Sequence, residues 1–199
     1  MGHVITVTRE FGSMGRKIAQ KVAENVGFHY YDRDVIELTA KEFRYDIEKL
    51  SAFEDQKIST FSKMLYPLGL GNAAMQNRLY EMEKSVILDL ARSEDCVIVG
   101  RCSDYVLREA KHTDMLNVFI YAPYEQRLDN CEKLLNLSPI EAKKYVDGVD
   151  RARHEFYKGH TGQNFHSTKY RHLMLDSSVF SYQDCAKHIS DIAKSKFNL

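Results

Sequence analysis

The chain has little of several things that would have decided its class at once. Its 199 residues contain three prolines and ten glycines, which excludes a collagen-like or low-complexity chain. It has no surplus of either charge, with 28 basic and 28 acidic side chains. That excludes a broad nucleic-acid surface, whose affinity rests on phosphate contacts by Lys and Arg. No apolar run approaches the roughly 20 residues of a membrane span. The longest charge-free apolar stretches are 64–70, 96–99 and 118–122. Arg9, Glu10, Arg16 and Lys17 interrupt any signal peptide. The four cysteines (Cys96, Cys102, Cys131, Cys185) form no C-x-x-C pair and read as free thiols of a cytoplasmic protein. Gly2 and Thr6 match the bare myristoylation pattern, but residues 3–8 read as a core strand.

What is present suffices for a core. Hydrophobic residues make up 44% of the chain and aromatic ones 11%. The length suits one domain, residues 1–199, burying roughly 70% of its unfolded surface. Residues 4–8 are β-branched and short, which predicts a buried strand. Arg9-Glu-Phe-Gly-Ser-Met-Gly15 follows as a glycine-bearing turn. Ile18, Val22 and Val26 then fall on one helical stripe, closed by Gly27. Residues 28–31 predict a second strand, and a strand–helix–strand unit implies parallel pairing. Further strands are expected at 96–99, 115–121 and 170–175. Helices are expected over most of 35–95, with a loop at 59–72, and at 124–136, 138–157 and 182–196. The last would turn Cys185, Ile189 and Ile192 inward. The expected fold is α/β: an open parallel five-stranded sheet with helices on both faces. The stripe Met75, Leu79, Met82, Val86 and Leu90 suits a core or a contact in a homo-oligomer equally well.

Open parallel sheets bind ligands beyond the carboxyl ends of their strands. Arginines gather at three of those ends: Arg9 to Arg16, Asp32-Arg33 and Gly100-Arg101. Glycines in the first loop let backbone amides approach an anion, and the following helix adds its positive end. Phosphate binding and an ordinary strand-to-helix turn both fit this pattern. The loop departs from the Walker form G-x-x-x-x-G-K-[ST]. Aligned on Gly15, its first glycine position is Glu10, its lysine position Arg16 and its Ser/Thr position Lys17. Charge is also placed locally further on. Residues 143–172 hold seven Lys/Arg against three Asp/Glu, and four of the eight histidines. Those four, His154, His160, His166 and His172, lack a metal-ligand spacing.

The segments Ile5-Thr-Val-Thr-Arg-Glu-Phe-Gly-Ser-Met-Gly-Arg-Lys-Ile18, Tyr30-Tyr-Asp-Arg33 and Val97-Ile-Val-Gly-Arg101 resemble the cytidylate kinase-like family. So do Val118-Phe-Ile-Tyr-Ala-Pro123, Asp150-Arg-Ala-Arg153 with Tyr157, and Thr161-Gly162. This family is a divergent branch of the P-loop nucleoside monophosphate (NMP) kinases. The resemblance implies a P-loop NTPase-like sheet with a helical NMP-binding insert at about 34–92 and a lid at about 137–170. It implies that Gly12, Ser13, Met14, Gly15, Arg16 and Lys17 cradle the phosphates of ATP. Asp32, Arg33, Gly100 and Arg101 would face the acceptor, CMP or dCMP in the first instance. Arg16, Lys17, Arg151 and Arg153 would neutralise charge during phosphoryl transfer, with ATP and Mg²⁺ as cofactors. Related cytidylate kinases carry Asp-Gly-Arg-Asp at the third strand's end. Here the sequence is Val99-Gly-Arg-Cys102, so only Gly100 and Arg101 match. Partners would be small nucleotides, with neither nucleic acid nor membrane. Two alternatives compete: a P-loop kinase for another small acceptor, and a nucleotide-binding regulatory protein without efficient turnover.

Overall fold

A computed structural model describes residues 1–32 and 73–199, with side chains from residue 76 in the second stretch. Most of the expected insert, the 59–72 loop, Met75 as a core residue and Arg33 lie outside the described residues. The elements run in chain order: β1 (Val4–Arg9), α1 (Gly15–Val26), β2 (His29–Tyr31), α2 (Ala73–Ser93), β3 (Cys96–Val99), α3 (Ser103–Glu109), β4 (Met115–Tyr121), α4 (Tyr124–Leu135), α5 (Pro139–Thr161), β5 (Leu173–Asp176) and α6 (Tyr182–Phe197). The five strands form one sheet in the order β2-β3-β1-β4-β5. Every pairing is parallel, with Val7 opposite Val99 on one side of β1 and Val118 on the other.

The central strands are continuous apolar runs because helices cover both faces. Side chains alternate along them. Val4, Cys96, Ile98, Met115 and Phe119 pack against α2, α3 and α5. Ile5, Val7, Val97, Val99, Leu116, Val118 and Ile120 pack against α1 and α6. Residues such as Ile5, Ile18, Ile98 and Phe119 are almost wholly excluded from water. Each such burial contributes about 1.5–3 kcal/mol.

Helix ends follow local chemistry. α1 stops at Gly27, whose φ of 76° is left-handed. α5 starts with a capping box, Ser138 and Glu141, and Pro139 in its first turn. It runs to Thr161, four residues past the expected 157, and stops at Gly162. Two expectations need correcting. The seven-residue α3 was not expected, because a helix this short carries too little apolar periodicity. Ile192 is 40% exposed rather than inward, whereas Cys185 and Ile189 are fully buried. Among the described residues no helix is long and apolar enough to cross a membrane. All four cysteines are free and buried.

The topology places the site. β1 and β3 are neighbours, yet the helix after β1 packs on one face and the helix after β3 on the other. Adjacent strands whose connections leave in opposite directions open a crevice at their carboxyl ends. That crevice lies between the loop after Arg9 and the turn at Gly100.

Candidate active site

The crevice has a volume of about 590 Å³. Its wall includes Arg9, Gly12, Met14, Gly15, Arg16, Lys17, Asp32, Gly100, Arg101 and Arg153. Of the residues expected to act here, Ser13 and Arg151 do not line it. Ser13 is buried beneath the loop and donates to the Glu10 carbonyl at 2.9 Å. Arg151 lies on the exposed face of α5. Its neighbour two positions on, Arg153, reaches the crevice, as residues two apart on a helix must point differently.

The loop is braced from behind through its carbonyl oxygens. Arg127 Nη1 donates to Phe11 O at 3.3 Å, Asn130 Nδ2 to Gly12 O at 2.8 Å, and Ser177 Oγ to Ser13 O at 2.7 Å. Gly12 has φ +80°, and a Cβ there would lie 2.5 Å from Arg127 O. Only glycine lets the loop lie this close to α4. The Phe11 amide donates to Asp150 Oδ1 at 2.8 Å. Among the described residues, the amides of Gly12, Ser13 and Met14 donate to no group. The Met14 side chain does not cap the first turn of α1, and the helix N-terminus opens on the same crevice. A row of amides and a helix N-terminus facing one crevice is an anion site.

The backbone corrects the Walker alignment. The left-handed residue that turns loop into helix is Met14, at φ 60°. Gly15 already has helical backbone as the first residue of α1. The position after the turn, where a phosphate-loop lysine stands, is therefore Gly15 and not Arg16. Arg16 instead pairs with Asp32 at 2.5 Å, and its side chain is 65% exposed.

The opposite wall is also built from unusual backbone. Gly100, Arg101 and Cys102 all have positive φ. A non-glycine residue in this region costs about 1–3 kcal/mol, and such strain gathers at functional sites. The Arg101 side chain is 3% exposed, its Nε 3.1 Å from buried Glu83, and its guanidinium lies over the Phe156 ring. The partner in that short contact is Glu83, not Asp104 three residues further on. Asp104 instead holds Arg171 at 2.6 Å and accepts from Tyr157 Oη at 2.8 Å. Arg171 also donates to Thr8 Oγ1, tying the segment after α5 to the end of β1.

A second charged group lies beside the loop. Arg127 bridges Glu10 and Asp150, while Glu10 also meets His166 at 3.1 Å. The His166 ring stands edge-on to His154 at 4.6 Å. Burial holds the His154 imidazole below the usual histidine range, and His166 adds to the effect. Among the described residues no group of His, Cys, Asp and Glu is arranged to hold a metal. The crevice carboxylates, Glu10 and Asp32, are already engaged by cations. Among the described residues the site therefore offers Mg²⁺ no dedicated cage.

Fold and site together define a P-loop kinase-like protein. Similar solved structures share the fold at low identity. An uncharacterized protein from Eubacterium ventriosum superposes with a TM-score of 0.71 at 17% identity, covering 98% of this chain and 99% of that one. A shikimate kinase from Acinetobacter baumannii in complex with shikimate gives 0.54 at 13% identity, covering 98% and 94%. A sugar kinase from Janibacter sp. gives 0.52 at 12%, covering 100% and 95%. No curated protein sequence matches the chain. The chain belongs to the cytidylate kinase-like family, whose model matches residues 4–179.

Proposed function

We propose that the protein transfers the terminal phosphoryl group of ATP to a small anionic acceptor, a nucleoside monophosphate, with CMP or dCMP first. The observation that carries this reading is the convergence of unpaired loop amides with Arg9, Arg101 and Arg153 on one crevice at the switch point of the sheet. An acceptor phosphate oxygen would form a bond to the γ-phosphorus as the bond from that phosphorus to the bridging oxygen breaks. ADP leaves with the electron pair, and a nucleoside diphosphate is formed. An ionised phosphate acceptor requires no general base, so catalysis is positioning and charge neutralisation. In this reading Gly12, Met14 and Gly15 bind the donor phosphates through their amides, with Ser13 supporting the loop from beneath and Arg16 and Lys17 at its mouth. Asp32, Gly100 and Arg101 form the acceptor side together with Arg33. The insert over about 34–92 would close over the acceptor, and residues 137–170 would act as the lid. Arg151 would contribute only if lid closure swung it inward.

One observation favours a second reading. Gly15 stands where the phosphate-loop lysine is usual, which suits a nucleotide-binding protein without efficient turnover. ADP release measured with CMP, dCMP, UMP, AMP, shikimate and simple sugars separates the two. Turnover with a nucleoside monophosphate is expected. ATP binding without turnover of any acceptor would overturn the kinase reading in favour of the second.

A further inference from the structure

We propose that Arg9, at the end of β1, holds the phosphoryl groups of the bound polyphosphate in place of the lysine that a phosphate loop ordinarily carries. The inference deepens the reading of this crevice as a nucleotide phosphate site and rests on it. Four observations support it.

Gly15 supplies no side chain at the lysine position, and the space its side chain would enter is taken by Arg9. A Cβ built on Gly15 would lie 2.6 Å from Arg9 Cβ and 2.9 Å from Arg9 Cγ. A side chain at either position would enter the same space. The second observation is the matching gap across the crevice. A Cβ on Gly100 would lie 2.3 Å from Arg9 Nη1, so the guanidinium crosses the crevice floor only because residue 100 is glycine. Two glycines thus form a channel for one arginine.

Third, the Arg9 guanidinium has no ion pair and no hydrogen bond among the described residues, although it is half-buried in the crevice wall. An arginine held away from bulk water normally finds a carboxylate. Asp32 acts on Arg9 through its charge, but it is engaged by Arg16. Fourth, Arg9 lies among like charges. Arg153 Nη1 donates to the Arg9 carbonyl at 3.2 Å, and Arg101 lies on the adjoining wall. Burial, then Arg153, push the Arg9 guanidinium below its ordinary range; Tyr30 and Asp32 oppose the shift, and Arg101 adds to it. Such a cluster is relieved by an anion of several charges. A triphosphate supplies them, and its oxygens match the fork of a guanidinium better than a point charge does.

The probe is inorganic tripolyphosphate, titrated calorimetrically into the whole protein and into Arg9→Gln, Arg9→Lys and Arg92→Gln. The last is an exposed α2 position that controls for net charge. Arg9→Gln is expected to weaken binding by about 10- to 150-fold, the equivalent of one charge-assisted contact. Arg9→Lys should weaken it less, and Arg92→Gln by less than twofold. Arg9→Lys also keeps the test valid if Arg9→Gln folds poorly. Because Arg9 Cβ itself meets the Gly15 position, relocation needs glycine at residue 9. The pair Arg9→Gly with Gly15→Lys should bind tripolyphosphate at least tenfold more tightly than Arg9→Gly alone. Binding by Arg9→Gln within threefold of wild type, or no binding by wild type, would overturn the assignment. A relocated lysine that recovers nothing would overturn the claim that both positions serve one phosphate. The binding experiment needs no acceptor. Wild type that turns over no acceptor but loses affinity through Arg9→Gln refutes the kinase reading alone. Undiminished turnover by Arg9→Gln refutes the Arg9 assignment alone.

Discussion

Gly100→Ala separates backbone strain from ligand binding, because a second glycine in the same conformation serves as its control. Gly100 has φ +82° and Gly27 has φ +76°. Alanine in left-handed backbone costs about 1–2 kcal/mol at either place. For a domain of this length each kcal/mol lowers the melting temperature by about 2–4 °C, so both variants should melt roughly 2–8 °C below wild type. At Gly27 a new Cβ meets nothing within 4 Å, and strain is the whole effect. At Gly100 it meets Arg9 Nη1 at 2.3 Å, the far end of a flexible side chain that can swing aside. Stability therefore changes equally in the two variants, and the difference falls on whatever Arg9 holds. Losing a charge-assisted hydrogen bond of about 1.5–3 kcal/mol weakens ATP or tripolyphosphate binding by about 10- to 150-fold in Gly100→Ala. Gly27→Ala should bind normally. Differential scanning fluorimetry and titration calorimetry measure both quantities. Equal affinities in the two variants would refute the reasoning. So would a melting point for Gly100→Ala more than about 15 °C below that of Gly27→Ala, since a freely moving arginine would not produce it.

Three further outcomes are expected. Asp104 is 1% exposed and holds the Arg171 guanidinium and the Tyr157 hydroxyl. Asp104→Ala leaves a buried cation uncompensated and should cost about 3–5 kcal/mol in urea unfolding, whereas Asp191→Ala on the exposed face of α6 should leave the midpoint nearly unchanged. Burial lowers the pKa of His154, His160 and His172 in the folded protein, and His172 Nδ1 accepts from the Asn117 amide at 3.0 Å. The unfolded chain then binds more protons below about pH 6.5, so the melting temperature should fall as pH drops from 7.5 to 5.5. A flat profile, or no flattening in His172→Gln, would contradict this. Burial pushes the Cys96 thiol up to about 12 and the Cys131 thiol up to about 11. Native protein at pH 8 should react with Ellman's reagent far more slowly than protein in guanidinium, where all four thiols of the sequence titrate.

The strands were legible because each is a short β-branched or apolar run bounded by polar residues. β3 and β4 fall at the expected 96–99 and 115–121. The phosphate loop was legible as glycines between a strand and a helix. Its register was not, because the alignment assumed that the last turn residue is a glycine. Here Met14 adopts the left-handed conformation in its place. The partner of Arg101 was not legible in the sequence either. A nearby acid in sequence is the natural guess, but the chain brings Glu83 from α2 into the core beneath it. Arg9 was noticed only as part of a polar loop. Its meaning depends on a strand and a helix passing so closely that residues 9 and 15 share one space. No spacing rule encodes that.

A cation on a strand behaves differently from one on a loop. Arg9 ends β1, opposite Ile120 of β4, so its backbone is fixed by the sheet. Glu10 continues the pairing, its amide bonded to Ile120 O at 3.0 Å. The next residues are held by Arg127, Asn130 and Asp150 from α4 and α5. The loop amides and the arginine are thus positioned by separate supports, and the ligand is required to organise neither. Arg127 also joins Glu10 to Asp150, and Glu10 meets His166 beyond the end of α5. Movement of that segment would consequently be felt at the loop through Glu10. The sheet fixes where the Arg9 side chain begins, and α5 adds a contact through Arg153, whose Nη1 donates to the Arg9 carbonyl.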